Sequence, residues 1–127
     1  IGGPGSGQDI YESRMRVDGS FGEGVPVDEL NTADTDRQPN VSRSGLEIVF
    51  ASHRQRDSGE STGDIWYASR SSVFQPWSTP VNLSDTVPFG TAAADESRPS
   101  FSWDGKRLYY GSGGVYVSTR KPAGGPR

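Results

Sequence analysis

The sequence predicts an all-β fold built from short antiparallel strands. Three observations carry this. Turn formers and aromatic residues are abundant, helical periodicity is missing, and the chain repeats itself in strand–turn–strand units. Leu, Ile, Val and Phe together number only 23 of 127 residues, while Gly and Pro number 26. So few aliphatic residues would suit a disordered chain. Disorder, however, pairs low hydrophobicity with high net charge, and the formal net charge is only −3. Three Trp, five Tyr and five Phe supply large packing units in place of aliphatic ones.

Helices are excluded by pattern. No window sustains apolar residues at i, i+3, i+4 and i+7. The one helix-friendly stretch, Ala92-Ala93-Ala94-Asp95-Glu96, is short and is followed by Pro99. β-type runs recur instead: Asp9 to Tyr11, Val25 to Val27, Leu46 to Ala51, Asp64 to Ala68, Thr79 to Leu83, Leu108 to Tyr110 and Val115 to Val117. Gly, Pro, Ser, Asp or Asn flank most of them, as expected of strands bounded by turns.

Asp36-Arg37-Gln38-Pro39-Asn40-Val41-Ser42-Arg43-Ser44-Gly45-Leu46-Glu47-Ile48-Val49-Phe50-Ala51-Ser52 aligns with the segment Glu96 to Ser112 at an offset of 60 without a gap. The acid at the start, the Pro, the Ser, the Gly, the apolar triplet and the final Ser all coincide. A second element occurs three times, at Asp9 to Arg14, Asp64 to Arg70 and Val115 to Arg120. A third occurs twice, at Phe21 to Leu30 and Trp77 to Leu83. Their order never changes, which is the mark of a repeat architecture.

Each full repeat reads as a four-stranded antiparallel blade. Strand one carries Pro39 or Pro99, where a missing N–H is tolerated at a sheet edge. A tight turn follows at Arg43-Ser44-Gly45 or Trp103-Asp104-Gly105, and Gly supplies the positive φ it needs. Strand two, Leu46 to Ser52 or Lys106 to Ser112, has an apolar centre on both faces, as expected when neighbours cover both sides. Strand three is the aromatic segment that ends in Arg. Strand four, containing Pro26 or Pro80, suits an outer edge.

The segments Arg98-Pro99-Ser100-Phe101-Ser102-Trp103-Asp104-Gly105-Lys106-Arg107-Leu108-Tyr109-Tyr110 and Asp64-Ile65-Trp66-Tyr67-Ala68-Ser69-Arg70 carry a resemblance. The chain resembles the TolB-type, WD-repeat-like β-propeller repeat family. Ser44 departs from the family's usual Asp at that turn, and no Asp precedes Val115. The resemblance covers Gln8 to Arg120 and implies an all-β fold of β-propeller blades. The expected organisation is a half blade over 8–30 (strands three and four), a complete blade over 36–83, three strands of a further blade over 96–120, and a tail over 121–127. A closed ring needs at least four blades. The expected chain is therefore a piece of a larger propeller, or a unit of which several copies assemble. A lone copy is expected to leave Ile48, Phe50 and Tyr110 open to water.

Chemistry is sparse. The chain has no Cys, so disulfides, thiol catalysis and cysteine metal sites are excluded. Eleven Arg and two Lys are scattered among sixteen acids, which argues against nucleic acid. No apolar run approaches the ~20 residues of a membrane span. The first eight residues lack a basic start and an apolar core, so no signal peptide is expected there. His53 is the only His, and no Gly-x-Ser-x-Gly elbow accompanies it, so no catalytic residue is expected. Asp57, Glu60 and Asp64 bracket a loop with oxygen ligands. Their spacing does not match an EF-hand, so a solvated loop is preferred to a metal site and no cofactor is expected.

The more informative constellation is the acidic, Arg-containing entry to strand one: Asp36 and Arg37, and again Glu96 and Arg98. In a propeller that strand lines the central channel, so these four are the candidate ligand-binding residues at the channel mouth. The preferred reading is that these charges pair structurally with one another or with Arg14, Arg70 and Arg120, which recur at fixed blade positions. Trp66, Trp77, Trp103 and Tyr109 are expected to pack between blades more than to stack on ligands. The resemblance implies a non-enzymatic binding scaffold in a periplasmic or extracellular setting, whose partner is a protein or further propeller blades. An accessory or catalytic propeller of a peptidase or glycoside hydrolase is the alternative.

Overall fold

A computed structural model describes residues 7–54, 63–83, 96–112 and 115–119. Within them lie nine strands in three antiparallel sheets. The first sheet pairs β1 (Tyr11–Glu12) with β2 (Val25–Pro26). The second runs in spatial order β3 (Asp36–Val41), β4 (Glu47–Ser52), β5 (Asp64–Ser69) and β6 (Val81–Asn82). The third is β7 (Ser97–Phe101), β8 (Arg107–Gly111) and β9 (Val115–Thr119). The all-β expectation is met, with the chain meandering so that consecutive strands pair. Asp57, Glu60, the stretch 92–95, Arg120 and the tail 121–127 lie outside the described residues.

The 60-residue offset is visible in the backbone. β3 and β7 each lose register against their partners at the same place, between Arg37 and Asn40 and between Ser97 and Ser100. The extra residue at each bulge, Gln38 or Arg98, has a positive φ, 56° and 49°. Each precedes a Pro, a position that sterically favours extended backbone. The bulge absorbs one residue and sharpens the strand's twist.

The following turns match as well. Gly45 and Gly105 sit at φ 80° and 74°, and each donates its N–H to the Ser three residues back at 2.9 Å. Ser44 Oγ accepts the N–H of Leu46 at 3.2 Å, just as Asp104 Oδ1 accepts that of Lys106 at 3.0 Å. A hydroxyl thus replaces a carboxylate at this turn without changing the bond it makes.

Some strands are shorter than the sequence suggests. Pro80 has no N–H to give, so the Thr79–Leu83 run forms a ladder only at Val81–Asn82. Val27 leaves β2 to open a turn: its carbonyl accepts the N–H groups of Leu30 at 3.0 Å and Asn31 at 3.2 Å.

Two apolar clusters hold the sheets together. One joins Ile10, Val27 and Leu30 to Ile48, Phe50, Trp66 and Ala68 of the second sheet and to Trp77 between β5 and β6. The other joins Val49 and Ile65, with Tyr67 and Leu83, to Tyr110, Phe101 and Leu108 of the third. β4 therefore feeds both clusters: Ile48 and Phe50 point one way and Val49 the other, following the two-residue period of a strand. This corrects the expectation that Ile48, Phe50 and Tyr110 stand open. They are only 3%, 0% and 5% exposed, because the flanking sheets cover them. Burying a side chain such as Phe50 contributes about 1.5–3 kcal/mol.

Candidate functional site

β3 and β7, the first strands of the second and third sheets, lie beside each other. Side-chain amides bridge them. Gln38 Oε1 accepts the Arg98 N–H at 2.8 Å, and Asn40 Oδ1 accepts the Phe101 N–H at 2.9 Å. The four sequence candidates are therefore brought to one region, but they divide into two kinds.

Asp36 is fully buried and saturated. Its Oδ2 accepts the Thr32 N–H at 2.6 Å and the Thr32 hydroxyl at 2.9 Å. Its Oδ1 accepts the Ser52 hydroxyl at 2.6 Å and Arg54 Nη2 at 2.8 Å. Arg54 also donates from Nε to Ser52 Oγ at 2.9 Å and from Nη2 to the Leu30 carbonyl. Its guanidinium lies 5.1 Å from the Phe50 ring centre and 5.0 Å from that of Trp66. A charge taken from water needs such a full set of partners. This carboxylate holds the second sheet to the turn before it and has no accepting position left for a ligand.

The structural partner of Asp36 is thus Arg54, which sequence reasoning missed. Arg70 instead donates to the Gly45 carbonyl at 2.8 Å and stacks 4.0 Å from the Trp77 ring centre. The readable signal for Arg54 was its place two residues after Ser52, the last residue of β4 and the one that faces Asp36 across the β3–β4 pair.

Glu96 is likewise buried, at 1% exposure, and its N–H donates to the Gly63 carbonyl at 2.8 Å. Asp36 makes the matching bond to the Gln8 carbonyl at 2.8 Å. Burial, with a smaller push from the charge of Glu96, raises the Tyr110 phenol above its ordinary pKa. Arg98 is exposed and Arg37 half-buried.

The remaining candidates hold structural places. Asp64 is fully buried and its Oδ2 accepts Asn82 Nδ2 at 3.1 Å. Among the described residues, no three His, Asp or Glu side chains converge as a metal set. His53 is half-buried, and its N–H donates to the Thr35 carbonyl at 2.9 Å. Trp66 and Trp77 are buried, whereas Trp103 is 73% exposed and carries the Arg43 guanidinium 4.3 Å from its ring centre. Arg43 and Trp103 occupy the same position of successive repeats, so this contact ties one turn to the next.

A groove of 260 Å³ opens beside β1, between the first and second sheets. Its walls include Ile10, Tyr11, Glu12, Pro39, Val41 and Ile48. No family model, curated protein or solved structure matches the chain. No helix among the described residues is long and apolar enough to cross a membrane.

Proposed function

We propose that the chain is a non-enzymatic binding scaffold of TolB-like β-propeller blades. It is either part of a larger propeller or a piece that closes a ring with further copies. The observation that carries this reading is the pair of repeat-equivalent bulges at Gln38 and Arg98. They set two first strands side by side through the bond from the Arg98 N–H to Gln38 Oε1. The first sheet supplies strands three and four of one blade, the second sheet is a complete blade, and the third sheet is strands one to three of the next. The exposed Arg98, with Arg37 and Gln38, offers a cationic, hydrogen-bonding rim suited to a protein partner or an anionic small ligand. Asp36 and Glu96 shape that rim from behind, through the backbone. The setting that fits the resemblance is periplasmic or extracellular.

The test is the state of the chain in solution. Light scattering coupled to size exclusion, followed by electron microscopy, is expected to show a closed ring of copies or, for a piece of a larger propeller, association through its open sides. A stable, monodisperse monomer without further blades would overturn the reading.

A further inference from the structure

One end of the molecule carries large apolar side chains on loops rather than on strands. Strands alternate in direction within each sheet, so the loops over 13–24, 42–46, 70–80 and 102–106 all leave from the same end. Contacts between the loops agree. Arg70 donates its N–H to the Leu46 carbonyl at 3.0 Å, and the Arg43 guanidinium lies over Trp103. Ser13 and Arg70 line one groove. Asp36 and Glu96, at the starts of the first strands, lie at the other end.

Three tips hold their apolar residues outward through their own backbone bonds. Phe74 donates its N–H to Ser72 Oγ at 3.2 Å, and Gln75 donates its N–H to the Ser72 carbonyl at 3.1 Å. That tight turn leaves Phe74 81% exposed, next to the exposed Val73. In the 13–24 hairpin, the Arg16 N–H donates to the Ser20 carbonyl at 2.6 Å and Met15 faces Phe21. Facing residues of an antiparallel pair share one side. Met15, Phe21 and Val17 at the tip are all exposed. Trp103 forms the third tip.

Neighbouring sheets do not account for this exposure. A further sheet would cover the faces of these sheets, and a further strand would cover an edge. Neither covers a loop that runs off the strand ends. Phe74 makes the point best, because its sheet already packs against a neighbour on each face.

Charge narrows the occupant. The four loops hold Arg14, Arg16, Arg43, Arg70 and Lys106 against Asp18, Glu23 and Asp104. Base is thus in excess here, in a chain whose formal net charge is −3. Two of the three acids are turned into their own turns. Asp18 Oδ1 accepts the Ser20 N–H at 2.9 Å, and Asp104 Oδ1 accepts the Lys106 N–H at 3.0 Å. A second copy docking by the same end would set base against base. Separate tips, each with large apolar residues beside basic ones, suit a plane whose outer layer is anionic and whose interior is apolar.

We infer that this end docks on the surface of an anionic lipid bilayer. Phe74, Trp103 and Val17 enter the boundary between headgroups and acyl chains, where aromatic residues are favoured. Arg14, Arg16 and Lys106 stay level with the lipid phosphates. Each Arg or Lys near such a surface strengthens binding about fivefold. The docking does not depend on ring closure, because one copy presents the whole end.

The chain carries its own reporter. Trp66 and Trp77 are already buried, so a change of emission on adding vesicles comes from Trp103. With vesicles of phosphatidylcholine and phosphatidylglycerol, the chain is expected to sediment with the lipid and its emission to shift to the blue. Lipid brominated in its acyl chains is expected to quench it. Vesicles of phosphatidylcholine alone are expected to bind at least ~10-fold more weakly. Phe74→Ser is expected to weaken binding about 5–10-fold at an unchanged melting temperature, since this side chain is exposed in the free chain. Arg14→Gln with Lys106→Gln is expected to weaken it about 25-fold at low salt, and far less at high salt.

Absence of binding to either vesicle overturns the inference. So does adsorption to the anionic vesicles that brominated lipid leaves unquenched and Phe74→Ser leaves unchanged, since that is attraction of charge alone. Binding to dextran sulfate, with the vesicles left unbound, assigns this end to a soluble polyanion and overturns the bilayer. Light scattering on the lipid-free chain reads assembly separately, so a chain that stays monomeric and still docks keeps this inference while the ring fails.

Discussion

The side-chain oxygen of Gln38 takes the backbone N–H of Arg98 at 2.8 Å, and the two residues stand at the same position of successive repeats. Both have positive φ and both precede Pro. The contact therefore links one irregularity to its own copy. Left-handed backbone at a non-glycine residue costs of order 1 kcal/mol, so each bulge is held by its surroundings.

Gln38→Ala keeps the unfavourable φ and removes the acceptor. It is expected to destabilise the fold by about 0.5–1.5 kcal/mol. Gln38→Gly loses the same bond but relieves the backbone, and is expected to cost less than the Ala variant. Urea denaturation of both proteins checks the order.

Arg54→Met leaves the Asp36 carboxylate buried with its charge uncompensated. The expected loss is about 3–5 kcal/mol. Adding Asp36→Asn to Arg54→Met is expected to recover part of that loss, so the two effects fall short of their sum. A double-mutant cycle by chemical denaturation measures the coupling.

Tyr110 supplies a pH dependence at the alkaline end. Its folded pKa lies above the ordinary 10.0, first through burial and then through Glu96. Above about pH 10 the unfolded chain gives up this proton while the folded chain keeps it. The contribution is therefore complete below pH 10 and is lost as pH rises through the folded value. Tyr110→Phe is expected to flatten this alkaline fall in melting temperature. Glu96→Gln is expected to bring the phenol's titration, followed by tyrosinate absorbance, closer to that of a free tyrosine.

The two turn glycines both hold a backbone conformation that a side chain resists. Gly105→Ala places a side chain at φ 74°, at a cost of about 1–2 kcal/mol. Gly45→Ala does the same at φ 80°, and its new methyl would also lie 3.1 Å from Val73 Cγ1. Both variants are expected to melt below the unsubstituted chain, and differential scanning calorimetry measures each loss.

The fold was legible where local chemistry decides it. Gly45 and Gly105 announce tight turns, and Ile48-Val49-Phe50 announces a strand covered on both faces. The Pro-containing runs at 25–27 and 79–83 announce edges. The candidate site was legible only as a neighbourhood. Asp36, Arg37, Glu96 and Arg98 do come from one region, but the sequence does not say which side chains turn inward. That is settled by partners far along the chain. Arg54 is 18 residues from Asp36, and it reaches the carboxylate only once β3 and β4 pair. The burial of Ile48 and Phe50 likewise depends on Ile10 and Leu30, which lie beside β1 and after β2, far from β4 in the sequence.

The two bonds that open the second and third sheets, Asp36 N–H to the Gln8 carbonyl and Glu96 N–H to the Gly63 carbonyl, join each sheet to the one before it. Tension on the two ends of the chain therefore loads these junctions in series. Optical-trap extension of the chain would then show stepwise rips, one per sheet, in place of a single cooperative rupture, because a parting junction leaves the next sheet's own ladder intact.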